Sequence, residues 1–145
     1  MVTIRKIEQQ DLPALSQLYD ELIGMPANVD QMERMFRFIA ENEQYYLLGA
    51  FHEGKLAGSV MGIECMDLVG ECRPFMVIEN VIVSQHVRKQ GVGQKLMAEI
   101  ERIAKERNCG YMILVSGDQR KEAHRFYEKL GFGDEKVQGY RKHFD

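Results

Sequence analysis

The segment VIVSQHVRKQGVGQKL, residues 81–96, contains the pattern that decides the fold. It begins as an apolar, β-branched strand, continues through a short loop with Arg88 and Lys89, and reaches Gly91 and Gly93 where apolar residues start to recur at helical spacing. Free amides at a helix N-terminus attract anions, and glycines let a phosphate approach the backbone closely. The sequence therefore predicts a strand-loop-helix junction that holds a pyrophosphate.

The junction has one alternative interpretation, and two other phosphate-binding motifs do not match its sequence. An ordinary strand-to-helix loop, in which the glycines serve turn geometry alone, is the alternative to an anion site. A Walker loop is excluded because the G-K-[ST] sequence is missing. A dinucleotide-binding fold is disfavoured because G-x-G-x-x-G does not occur.

Outward from this junction, the hydrophobic periodicity predicts a mixed α/β fold in the order β-α-α-β-β-β-α-β-α-β. Strands are predicted over residues 2–7, 45–53, 56–68, 74–83 and 111–116, and the tail 137–144 is a candidate for a last strand. Helices are predicted behind Asp11 as N-cap (apolar face Leu12, Leu15, Leu18, Leu22 and Ile23), behind Asn28 or Asp30, from Gly91, and over 121–130 closed by Gly131. The first half of the sheet is expected to be antiparallel and the second half to contain a β-α-β crossover.

The composition limits the class of protein. The chain has 145 residues, so we expect one domain over 1–145, and its net charge of -3 argues against a nucleic-acid partner. The three cysteines, Cys65, Cys72 and Cys109, form no C-x-x-C pair, which disfavours a disulfide framework or a zinc site and favours reduced thiols in the cytoplasm. No signal peptide or membrane-spanning stretch is recognisable, so no membrane association is expected.

Two motifs resemble the GNAT N-acetyltransferase family. The family's acetyl-CoA signature, R/Q-x-x-G-x-G/A at a strand-to-helix junction, is matched by Arg88-Lys89-Gln90-Gly91-Val92-Gly93. The stretch AHRFYEKLGF, residues 123–132, is similar to the family's late helix, which commonly ends in F-Y-x-x-x-G-F. The resemblance extends over nearly the whole chain and implies a GNAT-like mixed sheet with about four helices packed on it.

The resemblance also implies how acetyl-CoA is held. In the family, a central strand offers its backbone to the pantetheine arm; here the matching residues are Val81, Ile82 and Val83. The amides from Arg88 to Gln94 (Arg88, Lys89, Gln90, Gly91, Val92, Gly93 and Gln94) are expected to hold the pyrophosphate. Arg120 stands where the family often has an Asn that contacts pantetheine, and we expect it to meet a phosphate or an anionic group instead.

The candidate catalytic residues are Tyr127, which the resemblance implies, and Glu79, which the strand pattern suggests although many relatives carry the acidic residue at the position of Asn80. Tyr127 matches the family's usual proton donor to the leaving thiolate. An amine with a pKa near 10.4 also needs a base, and Glu79 and Asn80 are the candidates on the acceptor side. They interrupt an apolar strand where an unpaired carboxylate is costly, and alternation places Glu79 with Val81 on one face and Asn80 on the other. A water relay is the alternative to Glu79.

The resemblance implies direct transfer of an acetyl group from acetyl-CoA to a small-molecule amine in a ternary complex, without a metal. A protein lysine or N-terminal acetyltransferase and a catalytically silent, acyl-CoA-binding regulatory module remain alternatives. Many relatives are dimers, so a homodimer is a further expectation.

Overall fold

A computed structural model describes residues 1–88 and 90–145 of the chain. These residues form two units, Met1–Ile113 and Leu114–Asp145. The first contains the strands β1 (Val2–Lys6), β2 (Tyr45–His52), β3 (Lys55–Cys65), β4 (Phe75–Val83) and β5 (Met112–Ile113), and the helices α1 (Leu12–Ile23), α2 (Val29–Glu41) and α3 (Val92–Glu106). The second contains α4 (Lys121–Lys129). One domain over 1–145 stays a prediction.

The strands form one mixed sheet in the order β1-β2-β3-β4-β5. Successive strands from β1 to β4 pair antiparallel, and β5 pairs parallel with β4 after the α3 crossover. This confirms the predicted antiparallel first half and the β-α-β unit. The order follows from chain connectivity, because hairpins join neighbouring antiparallel strands while a parallel pair needs a crossover.

Two glycines of β3 allow α3 to lie close to one face of the sheet. A Cβ atom on Gly58 would be 3.1 Å from Leu96 and Val92 side-chain atoms, and one on Gly62 would be 3.0 Å from Ile100. Leu96 and Ile100 are fully buried. The glycines are therefore needed for the close packing that fixes α3, and with it the glycine-containing junction, against the sheet.

A second core cluster includes residues of α1. Leu12, Leu15 and Leu18 pack in it with Leu47 and Phe51 of β2, and the α2 residues Met32, Phe36 and Ile39 pack against its edge. The helical spacing of the leucines predicted this buried stripe, and the structure confirms it; Ile23, predicted on the same face, is 67% exposed because it is the last residue of α1.

Asn80 produces an irregularity in β4 that changes which residues share a face. Its φ is +54°, in the left-handed region. The register with β3 passes from Met61 opposite Glu79 to Ser59 opposite Ile82, so β4 has one extra residue there. Such a bulge reverses the alternation beyond it. Glu79 and Ile82 consequently lie on the same face, and the predicted alternation is wrong.

The first helix differs from its prediction at the N-terminus. Asp11 makes no capping bond to α1. Its carboxylate accepts hydrogen bonds from Arg5 and from the Glu8 amide, each at 2.8 Å, at the end of a short 3-10 helix. Asp11 is the N-cap residue of α1 as predicted, but its side chain does not cap the helix, because a cation from β1 and a preceding amide bond the same oxygens. For α2, Asn28 is the cap: it accepts from the Gln31 amide at 3.1 Å.

Three strand boundaries also differ. β3 ends at Cys65 rather than at residue 68, and Leu68 is 91% exposed. β5 contains two residues instead of the six predicted over 111–116, because β4 offers it a paired edge at only two positions. The tail 137–144 forms no strand, so its prediction is wrong. A β-strand forms only where a neighbouring strand offers hydrogen-bond partners, so a strand-like sequence pattern is not enough by itself.

Candidate functional site

The N-terminus of α3 presents free backbone amides. Gly91 is its N-cap at φ +78°, a left-handed conformation that glycine adopts without strain. The carbonyl of Gly91 accepts from the Lys95 amide at 3.1 Å, the first bond of the helix. The amides of Val92, Gly93 and Gln94 lie before this bond and have no partner within the helix. Because Gly91 has no side chain to cap them, they remain available to an anion.

Hydrogen bonds to β3, to α1 and within the loop hold the segment that leads into this helix. Ser84 is buried, and its amide donates to the Ala57 carbonyl at 2.8 Å. Its hydroxyl accepts from the His86 amide at 3.3 Å. The Gln85 amide donates to the Glu21 carboxylate of α1 at 3.0 Å. The loop therefore begins from fixed positions on β3 and α1.

The predicted cationic rim lies on this loop. Arg88 and Gln90 are exposed just before Gly91. Lys89 lies outside the described residues. With the amides of α3, the exposed guanidinium gives one end of β4 a positive character suited to phosphate oxygens.

The edge of β4 that faces β5 is mostly without a strand partner. β4 pairs with β3 along most of its length but with β5 only at Met76 and Val77. Beyond Val77, no other described strand pairs with this edge, which includes Val81, Ile82 and Val83. An extended ligand with amide groups can bond such an edge as an added strand does.

The two acceptor-side residues are more exposed than the strand pattern predicts. Glu79 and Asn80 are both exposed, although they lie within a strand whose other residues are half-buried or buried. The expectation that Glu79 is a carboxylate inside a buried strand is wrong, since the bulge falls where no described strand pairs with the β5 side of β4. Their exposure leaves both side chains accessible to a solute.

Tyr127 is the one buried residue of α4. The helix ends in a Schellman motif, in which the Gly131 amide donates to Glu128 and the Phe132 amide donates to Tyr127, each at 3.1 Å. Gly131 has φ +97°, as the predicted closing glycine requires. The rings of Tyr127 and Phe132 meet edge to face at 6.0 Å, which fixes the tyrosine against the end of its own helix.

The Tyr127 hydroxyl is subject to two opposing influences. Burial raises its pKa above the ordinary value of about 10, because the phenolate is poorly solvated there. The positive charge of Arg120, the N-cap of α4, acts against that rise. Tyr127 is therefore a neutral phenol near pH 7, able to donate a proton.

Ser116 is a polar residue of the second unit that sequence reasoning did not select. Its Oγ is buried and has no hydrogen-bond partner among the described residues. A buried hydroxyl without a partner costs free energy unless a ligand or water satisfies it. In the sequence, Ser116 ends the apolar run YMILVS. A serine at the end of an apolar run is too common a pattern to identify a functional residue.

The described residues contain no candidate metal site and no candidate membrane-spanning helix. Within residues 1–88 and 90–145, no three His, Cys, Asp or Glu side chains are grouped so that they could hold a metal ion. No helix in those ranges has the length and apolar character needed to cross a bilayer.

The comparison that decides the family is a match over most of the chain. Residues 12–132 match the model described as Acetyltransferase (GNAT) family. The chain belongs to the GNAT acetyltransferase family. The matched range includes both motifs, the sheet from β2 to β5 and all four helices, so the family resemblance is confirmed.

Curated GNAT relatives match shorter segments. An uncharacterized N-acetyltransferase, YhdJ of Bacillus subtilis, is 38% identical over 56 residues, which are 38% of this chain and 39% of that protein. An aminoglycoside N(6')-acetyltransferase type 1 of Serratia marcescens is 28% identical over 79 residues, 52% of this chain and 54% of that protein. The alignments thus span about half of these relatives or less.

Solved structures are similar over nearly the full length. A putative acetyltransferase from Agrobacterium tumefaciens has a TM-score of 0.90 at 24% identity, covering 97% of this chain and 99% of that one. A transcriptional regulator from Bacillus halodurans has 0.89 at 27%, covering 99% and 100%. Glucosamine-6-phosphate N-acetyltransferase from Arabidopsis thaliana has 0.87 at 24%, covering 100% and 99%. The GNAT-like fold is therefore confirmed.

Proposed function

We propose that this GNAT chain transfers the acetyl group of acetyl-CoA directly to the amine of a small molecule. One observation carries the proposal: the free amides of Val92, Gly93 and Gln94 lie at the end of the same loop that begins where the unpaired edge of β4 stops. The amides suit a pyrophosphate and the edge suits an amide-containing arm, and CoA has both groups in sequence. The name of the Serratia relative supports a small-molecule acceptor.

The residues proposed to hold the cosubstrate are those of the junction and the strand. Val81, Ile82 and Val83 offer backbone groups to the pantetheine arm. Arg88, Lys89, Gln90, Gly91, Val92, Gly93 and Gln94 are proposed to surround the pyrophosphate. The open space at Gly91 supports this assignment, because the nearest atom to an added Cβ there is a Gln94 side-chain oxygen at 3.8 Å.

The proposed reaction is a single displacement with a balanced proton count. The amine nitrogen attacks the thioester carbonyl carbon, the N–C bond forms, and the C–S bond breaks with its electron pair going to sulfur. Tyr127 donates its proton to the sulfur, giving CoA thiol. The protonated amine first loses one proton to Glu79 or to a water, which passes it to solvent. After the attack the nitrogen loses a second proton, which returns through solvent to the Tyr127 oxygen. Glu79 and Asn80, both exposed, are proposed to contact the acceptor.

The two alternatives have different signatures. A protein lysine or N-terminal acetyltransferase would acetylate peptides faster than small amines. A silent regulatory module would bind acetyl-CoA without releasing CoA; the Bacillus halodurans structure, named a transcriptional regulator, is the observation that keeps this alternative open.

Free cysteines support placing the activity in the reducing cytoplasm, and a homodimer stays a prediction.

The deciding experiment is a screen of acceptors with acetyl-CoA, read as release of free thiol and as acetylated product by mass spectrometry. Aminoglycosides, amino sugars and their phosphates, simple polyamines and lysine peptides form the panel. We expect turnover with a small amine and about 10²-fold less with Tyr127→Phe at unchanged CoA affinity. Binding of acetyl-CoA with no turnover on any amine would refute the transferase proposal in favour of the regulatory module.

A further inference from the structure

Arg120 stands at the N-cap of α4, where its side chain does not stabilise the helix. N-cap positions favour Ser, Thr, Asp or Asn, and a cation is unfavourable at the positive end of a helix. Arg120 makes no capping bond, and its exposed side chain has no hydrogen bond or ion pair with the described residues. Helix formation therefore does not explain an arginine at this position.

The helix geometry brings Arg120 and Tyr127 to the same side of α4. Seven residues separate them, about 20° short of two full turns. The Arg120 carbonyl accepts from the His124 amide at 3.1 Å, so the Arg120 Cα lies at the start of the helix, although its own φ of -88° and ψ of 66° are not helical. The Cα–Cβ bonds of a helix tilt toward its N-terminus, so the Tyr127 side chain leaves α4 on this side, with Phe132 packed edge to face on its ring. Ala123, one turn before Tyr127, leaves room between them.

Burial creates a difficulty for Tyr127 as a proton donor. A phenol that gives its proton to sulfur becomes a phenolate, and a poorly solvated anion is costly. Tyr127 is 8% exposed, and among the described residues Arg120 is the one charged group found to act on the pKa of its hydroxyl. Lys121, Glu122 and Arg125 of the same helix are exposed and have no such influence.

We propose that Arg120 is an electrostatic positioning residue for acetyl transfer, which stabilises the negative charge left on the Tyr127 oxygen after that hydroxyl protonates the departing CoA sulfur. Arg120 forms and breaks no bond in this step, and its guanidinium keeps all its protons. This inference rests on the proposed function, and it replaces the expected phosphate contact of Arg120 by a role in the chemical step. It predicts that Arg120 affects kcat through Tyr127 rather than the affinity for CoA.

The test is a double-mutant cycle with steady-state kinetics on the best acceptor. Arg120→Gln should lower kcat about tenfold, change KM for acetyl-CoA less than threefold, and be largely rescued by Arg120→Lys. In a Tyr127→Phe background, Arg120→Gln should have no further effect on kcat, because the phenolate no longer forms. Arg125→Gln removes the same charge from an exposed position of α4 and should behave as wild type.

If Arg120 instead contacts a phosphate of CoA, Arg120→Gln should raise both the KM for acetyl-CoA and the Kd for CoA. The same increase should then appear in the Tyr127→Phe background. This result would overturn the proposal. A second readout does not depend on turnover. The phenolate absorbance of Tyr127, isolated as wild type minus Tyr127→Phe, should titrate at higher pH in Arg120→Gln. An unchanged titration would also overturn the proposal, even if the wild-type protein acetylates nothing.

Discussion

Asn80 is the residue whose backbone most alters the candidate site. A left-handed conformation is rare for residues other than glycine, but asparagine adopts it more readily than most. The resulting bulge moves Glu79 to the face of Ile82 and exposes both polar side chains where no described strand pairs with the edge of β4 toward β5. A single dihedral angle thus converts a buried-strand pattern into an accessible pair of polar groups.

Glu79→Gln tests the proposed base. The variant keeps the side-chain shape and removes the proton acceptor, so kcat/KM should fall about 10²-fold near pH 7. The loss should shrink as pH rises toward the amine pKa, because more of the acceptor is then already deprotonated. Rates across pH 6.5 to about 10 check this. Glu71→Gln, also exposed, is the control; a pH-independent loss would reassign Glu79 to acceptor binding.

Asp11 connects the first strand to the first helix through charge. Its carboxylate accepts from Arg5 at 2.8 and 3.2 Å, and the guanidinium carbon of Arg5 lies 3.8 Å from the Phe51 ring centroid. Arg5 is the main reason that the pKa of Asp11 is lowered below its ordinary value. A lowered folded-state pKa contributes stability above the unfolded-state pKa of about 3.9 and loses it as pH falls through the folded value.

Asp11→Asn should therefore destabilise the protein at pH 7 by about 1 kcal/mol, since it loses a charge-assisted pair that is partly exposed. The difference from wild type should shrink below about pH 4, where the wild-type carboxylate is protonated as well. Urea unfolding at several pH values measures this. Glu8→Gln, which removes an exposed charge near Arg5, should change stability by less than about 0.5 kcal/mol. Equal losses at pH 3 and pH 7 would contradict the assigned role.

Among the elements, α3 combines a close-packed body with an uncapped N-terminus. Its apolar stripe lies against the glycines of β3, while Gly91 leaves three amides open. Its other end is tied to the sheet by Glu64, a buried carboxylate that accepts from Arg107 at 3.0 Å and from Tyr46 at 3.1 Å. Rigid attachment along the helix keeps the open amides in fixed positions, which favours anion binding over an adaptable loop.

Gly91→Asn tests the amides directly. Asparagine tolerates the left-handed conformation, but its side chain would stand in front of the α3 N-terminus. The Kd for CoA should rise at least tenfold, with thermal stability of the free protein nearly unchanged; isothermal calorimetry and thermal melts measure both. Gly54→Asn is the matched control, because Gly54 has φ +79° at the β2–β3 turn. Equal affinity in the two variants would place the phosphate site elsewhere.

For the whole molecule, CoA binding should appear as added stability. A ligand that binds only the folded chain stabilises it by about 2.7 kcal/mol at a hundred times Kd. For 145 residues this corresponds to a rise in Tm of roughly 5–11 °C. Thermal melts with CoA and with acetyl-CoA check the value, and Gly91→Asn should show a smaller shift at the same ligand concentration. No shift at millimolar ligand would remove the basis for the proposed function.

The sequence alone determined the features set by near neighbours in the chain. The leucine spacing of α1, the Asn28 cap, the closing Gly131 and the strand-loop-helix junction at Gly91 are as predicted. Each depends on a local period or on one residue's backbone preference, which acts the same way in any context. The family followed from two such local motifs.

Only the tertiary structure decided the features that depend on a distant partner. Asp11 bonds Arg5 rather than capping α1, the bulge at Asn80 reverses the faces of β4, and β5 is two residues long. In each case the outcome depends on which atoms another segment brings within bonding distance, and register between strands is set by the whole sheet. The orphaned hydroxyl of Ser116 belongs here too, because whether a polar group has a partner is settled by packing and not by sequence neighbours.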